Sequence, residues 1–111
     1  MHELGLCTAI VDAIEKRAGT RPVARVKVRV GRLHHVHPEA FEQSFALAAA
    51  GSVADSAKAE LVLVPVSGHC AACKKSFEAD EPVVICPQCG SFAIEQSGGD
   101  ELTLELIEYR F

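Results

Sequence analysis

The sequence predicts an α+β fold, two helices packed on a three-stranded sheet with an inserted cysteine-rich lobe. Three observations carry that expectation. Two segments show apolar residues at helical spacing, and three others read as strands. Two Cys-x2-Cys pairs lie between the second and third of those strands. The chain has 111 residues, of which 49% are hydrophobic and only 5% aromatic, so one small and mainly aliphatic core is expected.

From Leu4 to about Ala18, apolar residues fall at Leu4, Cys7, Val11 and Ile14, with Leu6 and Ile10 beside them, and Gly19 supplies a stop. Cys7 lies on that face and reads as a small core residue. Val23 to Leu33 alternates, with Val26, Val28 and Val30 to one side and Arg25, Lys27 and Arg29 to the other. That is a half-buried strand whose basic row serves solubility or guards a sheet edge. Pro38 suits the first turn of a second helix, in which Phe41, Phe45 and Ala48 share a face and Gly51 ends it. Ala59 to Val66 and Glu101 to Tyr109 are strand-like, the last with Leu102, Leu104 and Leu106 on one side. Pro65 marks a strand end, and Gly98-Gly99 reads as a hinge where the chain returns to the sheet.

Cys70/Cys73 and Cys86/Cys89 are separated by twelve residues. Two short knuckles at that separation can place four thiolates around one tetrahedral zinc, the signature of a zinc ribbon. Pro87 presets one turn dihedral and Gly90 permits a positive one. Four sulfurs close the coordination shell, so the metal is structural rather than catalytic. His69, beside Cys70, is the one nearby group able to exchange in as a ligand, though a surface role suits it better. The reading therefore divides the chain into a body, residues 1–66 completed by 99–111 as a returning strand, and an inserted zinc-ribbon lobe, residues 67–98.

Function classes narrow with charge. The formal net charge is −4, and within 67–98 two lysines, Lys74 and Lys75, stand against Glu78, Asp80, Glu81 and Glu95. A phosphate-binding ribbon should be basic, so a nucleic-acid-interaction module is the weaker alternative, alongside a protein-interaction zinc ribbon. No apolar run is long enough for a membrane span, and Met1-His2-Glu3 lacks the basic stretch of a signal peptide. These features fit a cytoplasmic protein with reduced thiols. No nucleophile or general base stands beside a phosphate-binding or oxyanion loop, which argues against an enzyme.

The first residues carry a second metal signal. The Met1 amine, the His2 amide nitrogen and the His2 imidazole can close fused rings around one ion. Deprotonated amide nitrogen favours square-planar ions, nickel(II) and copper(II), with Glu3 able to add a donor through its backbone or carboxylate. His34, His35 and His37 form another cluster, in which His35 and His37 would share a side if the strand continued. Pro38 turns the chain there, and ordinary loop histidines are the simpler reading.

Met1-His2-Glu3 ahead of a helix, Val28-Arg29-Val30-Gly31-Arg32-Leu33, Val36-His37-Pro38-Glu39-Ala40-Phe41, Gly51-Ser52-Val53-Ala54 and the four-cysteine ribbon together resemble the HypA/HybF family over essentially the whole chain. The resemblance implies a nickel metallochaperone of NiFe-hydrogenase maturation, some members of which also serve urease. It implies Ni(II) at Met1, His2 and Glu3, and structural Zn(II) at Cys70, Cys73, Cys86 and Cys89. It further implies a HypB-type GTPase and the hydrogenase large subunit as partners, with urease accessory proteins where urease is a client. The expected state is a monomer or weak homodimer, with no nucleic acid or membrane partner. Some relatives carry histidine just after a cysteine pair; Lys74 and Gly90 stand there in this chain, which speaks against zinc-ligand exchange through such histidines.

Overall fold

The computed structural model describes residues 3–111. Helix α1 (Glu3–Ala18) leads to strand β1 (Val23–Gly31), a single 3-10 turn (Arg32–His34), helix α2 (Pro38–Ala49) and strand β2 (Lys58–Val64). Strands β3 (Val66–Cys70), β4 (Ser76–Ala79) and β5 (Ile94–Ser97) follow, and β6 (Leu102–Tyr109) closes the chain of elements. The body sheet has the order β2-β1-β6, with β2 parallel and β6 antiparallel to β1. A separate sheet, β4-β3-β5, is antiparallel throughout. The expected α+β architecture is thus present, with the second sheet inserted between β2 and β6.

The core explains the arrangement. Val23, Val26, Val28 and Val30 of β1 are buried beneath Leu6, Cys7, Ile10 and Ile14 of α1 and Phe41 and Phe45 of α2. Each such side chain contributes about 1.5–3 kcal/mol on burial, so this cluster sustains the body without a metal. Pro38 opens α2 at the expected place, and Gly19, at φ +62°, supplies the left-handed end of α1.

Several expectations need correction. Leu4 is half exposed, because the buried stripe of α1 centres on Leu6, Cys7, Ile10 and Ile14 and leaves Leu4 on its flank. In α2 the fully buried alanine is Ala49, with Ala48 only packed against the core. β1 is the central strand, so its basic row guards no edge. Arg25 pairs with Glu108 and Glu60, and Lys27 with Glu60 and Glu105. Those acids come from the flanking strands and neutralise Arg25 and Lys27 on the open face of the sheet, whereas Arg29 has no ion pair among the described residues. In β6, Lys27 stands opposite Leu106 but Val28 opposite Leu104, so the chain bulges at Glu105. The bulge shifts the alternation: Leu104, Ile107 and Tyr109 pack on the core while Leu106 turns outward.

Body and ribbon meet at a backbone crossing. The Gly31 N–H donates to Glu101 O at 2.7 Å and the Leu33 N–H to Gly99 O at 2.8 Å. A Cβ at Gly31 would collide with the Gly99 carbonyl, and Gly99 itself sits at φ +86° against Leu33 and Val66. The expected Gly98-Gly99 hinge is consequently a clamped turn rather than a free linker. Arg32 Nε also reaches Asp80 Oδ1 at 3.0 Å, tying the 3-10 turn to the ribbon. The molecule is elongated, 54 × 22 × 17 Å.

Candidate metal centre

Each cysteine pair sits in a turn of the same construction. In the first, the Lys74 N–H donates to Cys70 O at 2.8 Å and the Cys70 N–H to Lys75 O at 2.9 Å. In the second, the Gly90 N–H donates to Cys86 O at 3.0 Å and the Cys86 N–H to Ser91 O at 2.8 Å. Both turns demand a left-handed residue just after the second cysteine, met by Gly90 at φ +76° and by Lys74 at φ +64°. Glycine takes that conformation freely, whereas a side-chain-bearing residue spends about 1–2 kcal/mol on it.

These turns aim all four sulfurs at one point. Cys70 Sγ lies 3.6 Å from Cys89 Sγ and Cys73 Sγ 3.7 Å from Cys86 Sγ, and all four atoms lie within 4.8 Å of one another. A tetrahedral ion with bonds of about 2.3 Å to sulfur needs sulfur–sulfur edges of about 3.8 Å, whereas a disulfide needs about 2.0 Å. The geometry is that of a zinc-type site, and all the cysteines are free thiols. Among the described residues this is the one group of three or more His, Cys, Asp or Glu side chains gathered closely enough to hold a metal.

The turns also tune the sulfurs. The Cys73 N–H points at Cys70 Sγ, 3.5 Å away, and the Gln88 N–H at Cys86 Sγ, 3.4 Å away. Backbone N–H groups, foremost that of Cys73, hold the Cys70 thiol below its usual range. The Cys89 and Gln88 N–H groups overcome desolvation to bring Cys86 down to about 6. At Cys89 the Ser91 N–H favours the thiolate, but desolvation and the neighbouring sulfurs of Cys70, Cys86 and Cys73 outweigh it and push the thiol up to about 12. Like charges this close resist joint ionisation until a cation enters. Cys70 and Cys86 are buried, Cys73 half-buried and Cys89 exposed, so an ion reaches the cluster from the Cys89 side.

The remaining candidates are scattered. His69 projects on the face of β3 opposite Cys70, and its Nδ1 shares a 3.0 Å hydrogen bond with Ser76 Oγ. His34 Nε2 meets Asp100 O at 2.9 Å, His35 adopts a left-handed φ of +52°, and His37 precedes α2. The histidine triplet therefore does not converge on an ion. Cys7 is fully buried with Sγ 3.6 Å from Phe41 O, and burial first, then the Glu3 charge, raises its thiol to about 11. That is a core thiol rather than a nucleophile. Met1 and His2 lie outside the described residues. Glu3 opens α1, and its Oε1 accepts the His37 N–H at 3.2 Å, which fastens the start of α1 to the start of α2. This link joins residues 34 apart, and no local pattern announces it. The Arg32–Asp80 pair and the left-handed Lys74 were equally hidden, although the glycine matching Lys74 in the second knuckle is a usable signal.

A family model described as hydrogenase/urease nickel incorporation, metallochaperone, hypA matches residues 1–109. The chain belongs to the HypA family. Hydrogenase maturation factor HypA 2 of Bradyrhizobium diazoefficiens is 38% identical to it, covering 97% of this chain and 98% of that one. HypA of Desulfitobacterium hafniense is 32% identical, covering 97% of each. The fold matches the solution structure of the Ni metallochaperone HypA from Helicobacter pylori with a TM-score of 0.61 at 21% identity, covering 98% of this chain and 97% of that one. HypA proteins are named as maturation factors and metallochaperones, which are not enzymes. No helix among the described residues is long and apolar enough to cross a membrane.

Proposed function

We propose that this HypA-family protein is a nickel metallochaperone that binds Ni(II) through the Met1 amine, His2 and Glu3 and delivers it during NiFe-hydrogenase maturation. The observation that carries the reading is the family match from residue 1 to residue 109, which takes in the terminal motif and the cysteine ribbon together. Zn(II) at Cys70, Cys73, Cys86 and Cys89 is the structural metal, supported by the sulfur–sulfur spacing. The division of labour follows from donor chemistry: planar nitrogen donors select nickel, while the four thiolates retain zinc.

The working unit has two domains, the nickel-binding body of residues 1–66 and 99–111 and the zinc ribbon of residues 67–98. It acts in the cytoplasm as a monomer or weak homodimer. Its partners are a HypB-type GTPase and the hydrogenase large subunit, and urease accessory proteins where urease is a client. Delivery is handover rather than turnover: incoming ligands replace the terminal donors without unfolding the body.

Nickel titration of untagged, zinc-loaded protein tests this, beside the same protein with one residue added before Met1. One tight equivalent, lost on extension and in His2→Ala with zinc content unchanged, is the expected result. Affinity should weaken as pH falls below roughly 6.5, because imidazole must be neutral to ligate. Tight binding that survives extension would refute the terminal site.

A further inference from the structure

The end of the ribbon beyond the body carries apolar surface that folding leaves unused. Val84, Ile85 and Phe92 are 73%, 50% and 75% exposed. The Cys86–Ser91 hydrogen bond closes the second knuckle, and Ile85 and Phe92 are the residues that flank it on either side. Val84 is next in line, so the three exposed residues gather at the mouth of that knuckle. Leaving such side chains in water forgoes the gain of burying them, and exposed apolar residues grouped at one end of a small protein mark a contact surface.

Charge is sorted along the same lobe. Lys74 and Lys75 are exposed on the first knuckle, and neither has an ion-pair partner among the described residues. The carboxylates lie mostly toward the body: Glu78 stands opposite Ser67 near the start of β3, and Asp80 is bound to Arg32. Glu95, opposite His69, is the exception. Lys74 also occupies the left-handed position that Gly90 fills in the second knuckle, so a cation stands where glycine would be less strained.

We infer that the distal end of the ribbon docks an acidic amphipathic helix of a partner protein. Three apolar side chains suit one helix face, with anchors three and four residues apart. The lysine pair selects carboxylates on the flanks of that helix and speeds its approach. The patch is smaller than a standard stable interface, so the contact is transient. This inference does not depend on where nickel binds.

The test uses isotope-labelled, zinc-loaded full-length protein and a synthetic amphipathic helical peptide of leucine and glutamate. Amide shifts should centre on residues 74–75 and 84–92. Phe92→Ser should weaken binding about tenfold, the loss typical of an interface anchor, with zinc content and unfolding temperature unchanged. Phe92→Leu should largely restore it. Equal response to the same peptide with lysine for glutamate would overturn the proposal, as would shifts centred elsewhere or no shifts. The same residues shifting with protein concentration alone, without peptide, would assign the patch to self-association and overturn it as well.

Discussion

The body and the ribbon of this protein solve the folding problem by opposite means. Among the described residues, the body buries fifteen in one apolar cluster spanning both helices and β1. In the second sheet and its knuckles, the hydrophobic residues buried to the same degree are Val66, at the start of β3, and Cys70 and Cys86. Ordering each residue costs about 1–2 kcal/mol, and burial of three side chains cannot offset that over some thirty residues. Coordination of zinc by cysteines, with an apparent free energy of about 10–16 kcal/mol at neutral pH, can. The comparison teaches that four convergent sulfurs can stand in for an apolar core once a metal joins them.

Removing that metal should expose the contrast most strongly. Chelation, or Cys73→Ser, is expected to abolish ordered structure across residues 66–97 while the body keeps its own, with up to about 10 kcal/mol withdrawn from the ribbon. Amide spectra check the location of the loss. Alkylation checks it independently: after chelation four of the five cysteines should react, and Cys7 should stay protected within the body core. Loss of dispersion throughout the body would break the comparison.

The reverse lesion is smaller. Ile14→Ala in the body core should cost about 2–5 kcal/mol in thermal unfolding of the body and leave zinc affinity unchanged. Lys74→Gly acts at the ribbon's strained turn and should stabilise the zinc-loaded lobe by about 1 kcal/mol, read as tighter zinc retention against a chelator.

The finest test is protonic. Cys86 is held at about 6 against an ordinary 9.0, so its thiolate favours the folded knuckle over the unfolded chain above pH 9, and that support is lost as pH falls through 6. Cys89, pushed up to about 12, supports the fold as a thiol below pH 9, and that support is lost as pH rises through 12. Because the metal-free lobe unfolds and its thiols return to their ordinary range, zinc entering at pH 7.5 should release close to four protons. The count is measured with an indicator in weak buffer, and a count well below four would show that the metal-free lobe keeps its folded knuckles.

Much of this was legible in the sequence because it is written in local periods. The alternation of Val26, Val28 and Val30, the helical spacing of Cys7 and Ile14, and the two cysteine pairs each declare themselves within a few residues. What stayed hidden depends on partners far along the chain. The Glu105 bulge, which turns Leu106 outward, arises only when β6 meets β1 across about eighty residues of sequence. The ladder of Glu60, Glu105 and Glu108 against Arg25 and Lys27 needs both flanking strands in register. At the metal centre the ligands were evident, whereas the left-handed Lys74 was not, since lysine gives no warning of a conformation that glycine advertises.

The placement of the ribbon between β2 and β6 bears on kinetics as well as on shape. β1 can recruit β2 early, but β6 arrives only after the whole lobe has been made, so the last pairing of the body closes a long loop. A lobe already folded around its ion shortens the flexible part of that loop and lowers the entropy lost on closure. Loading the ribbon should thus hasten completion of the body sheet, so that metal entry sets the timing of the body's assembly.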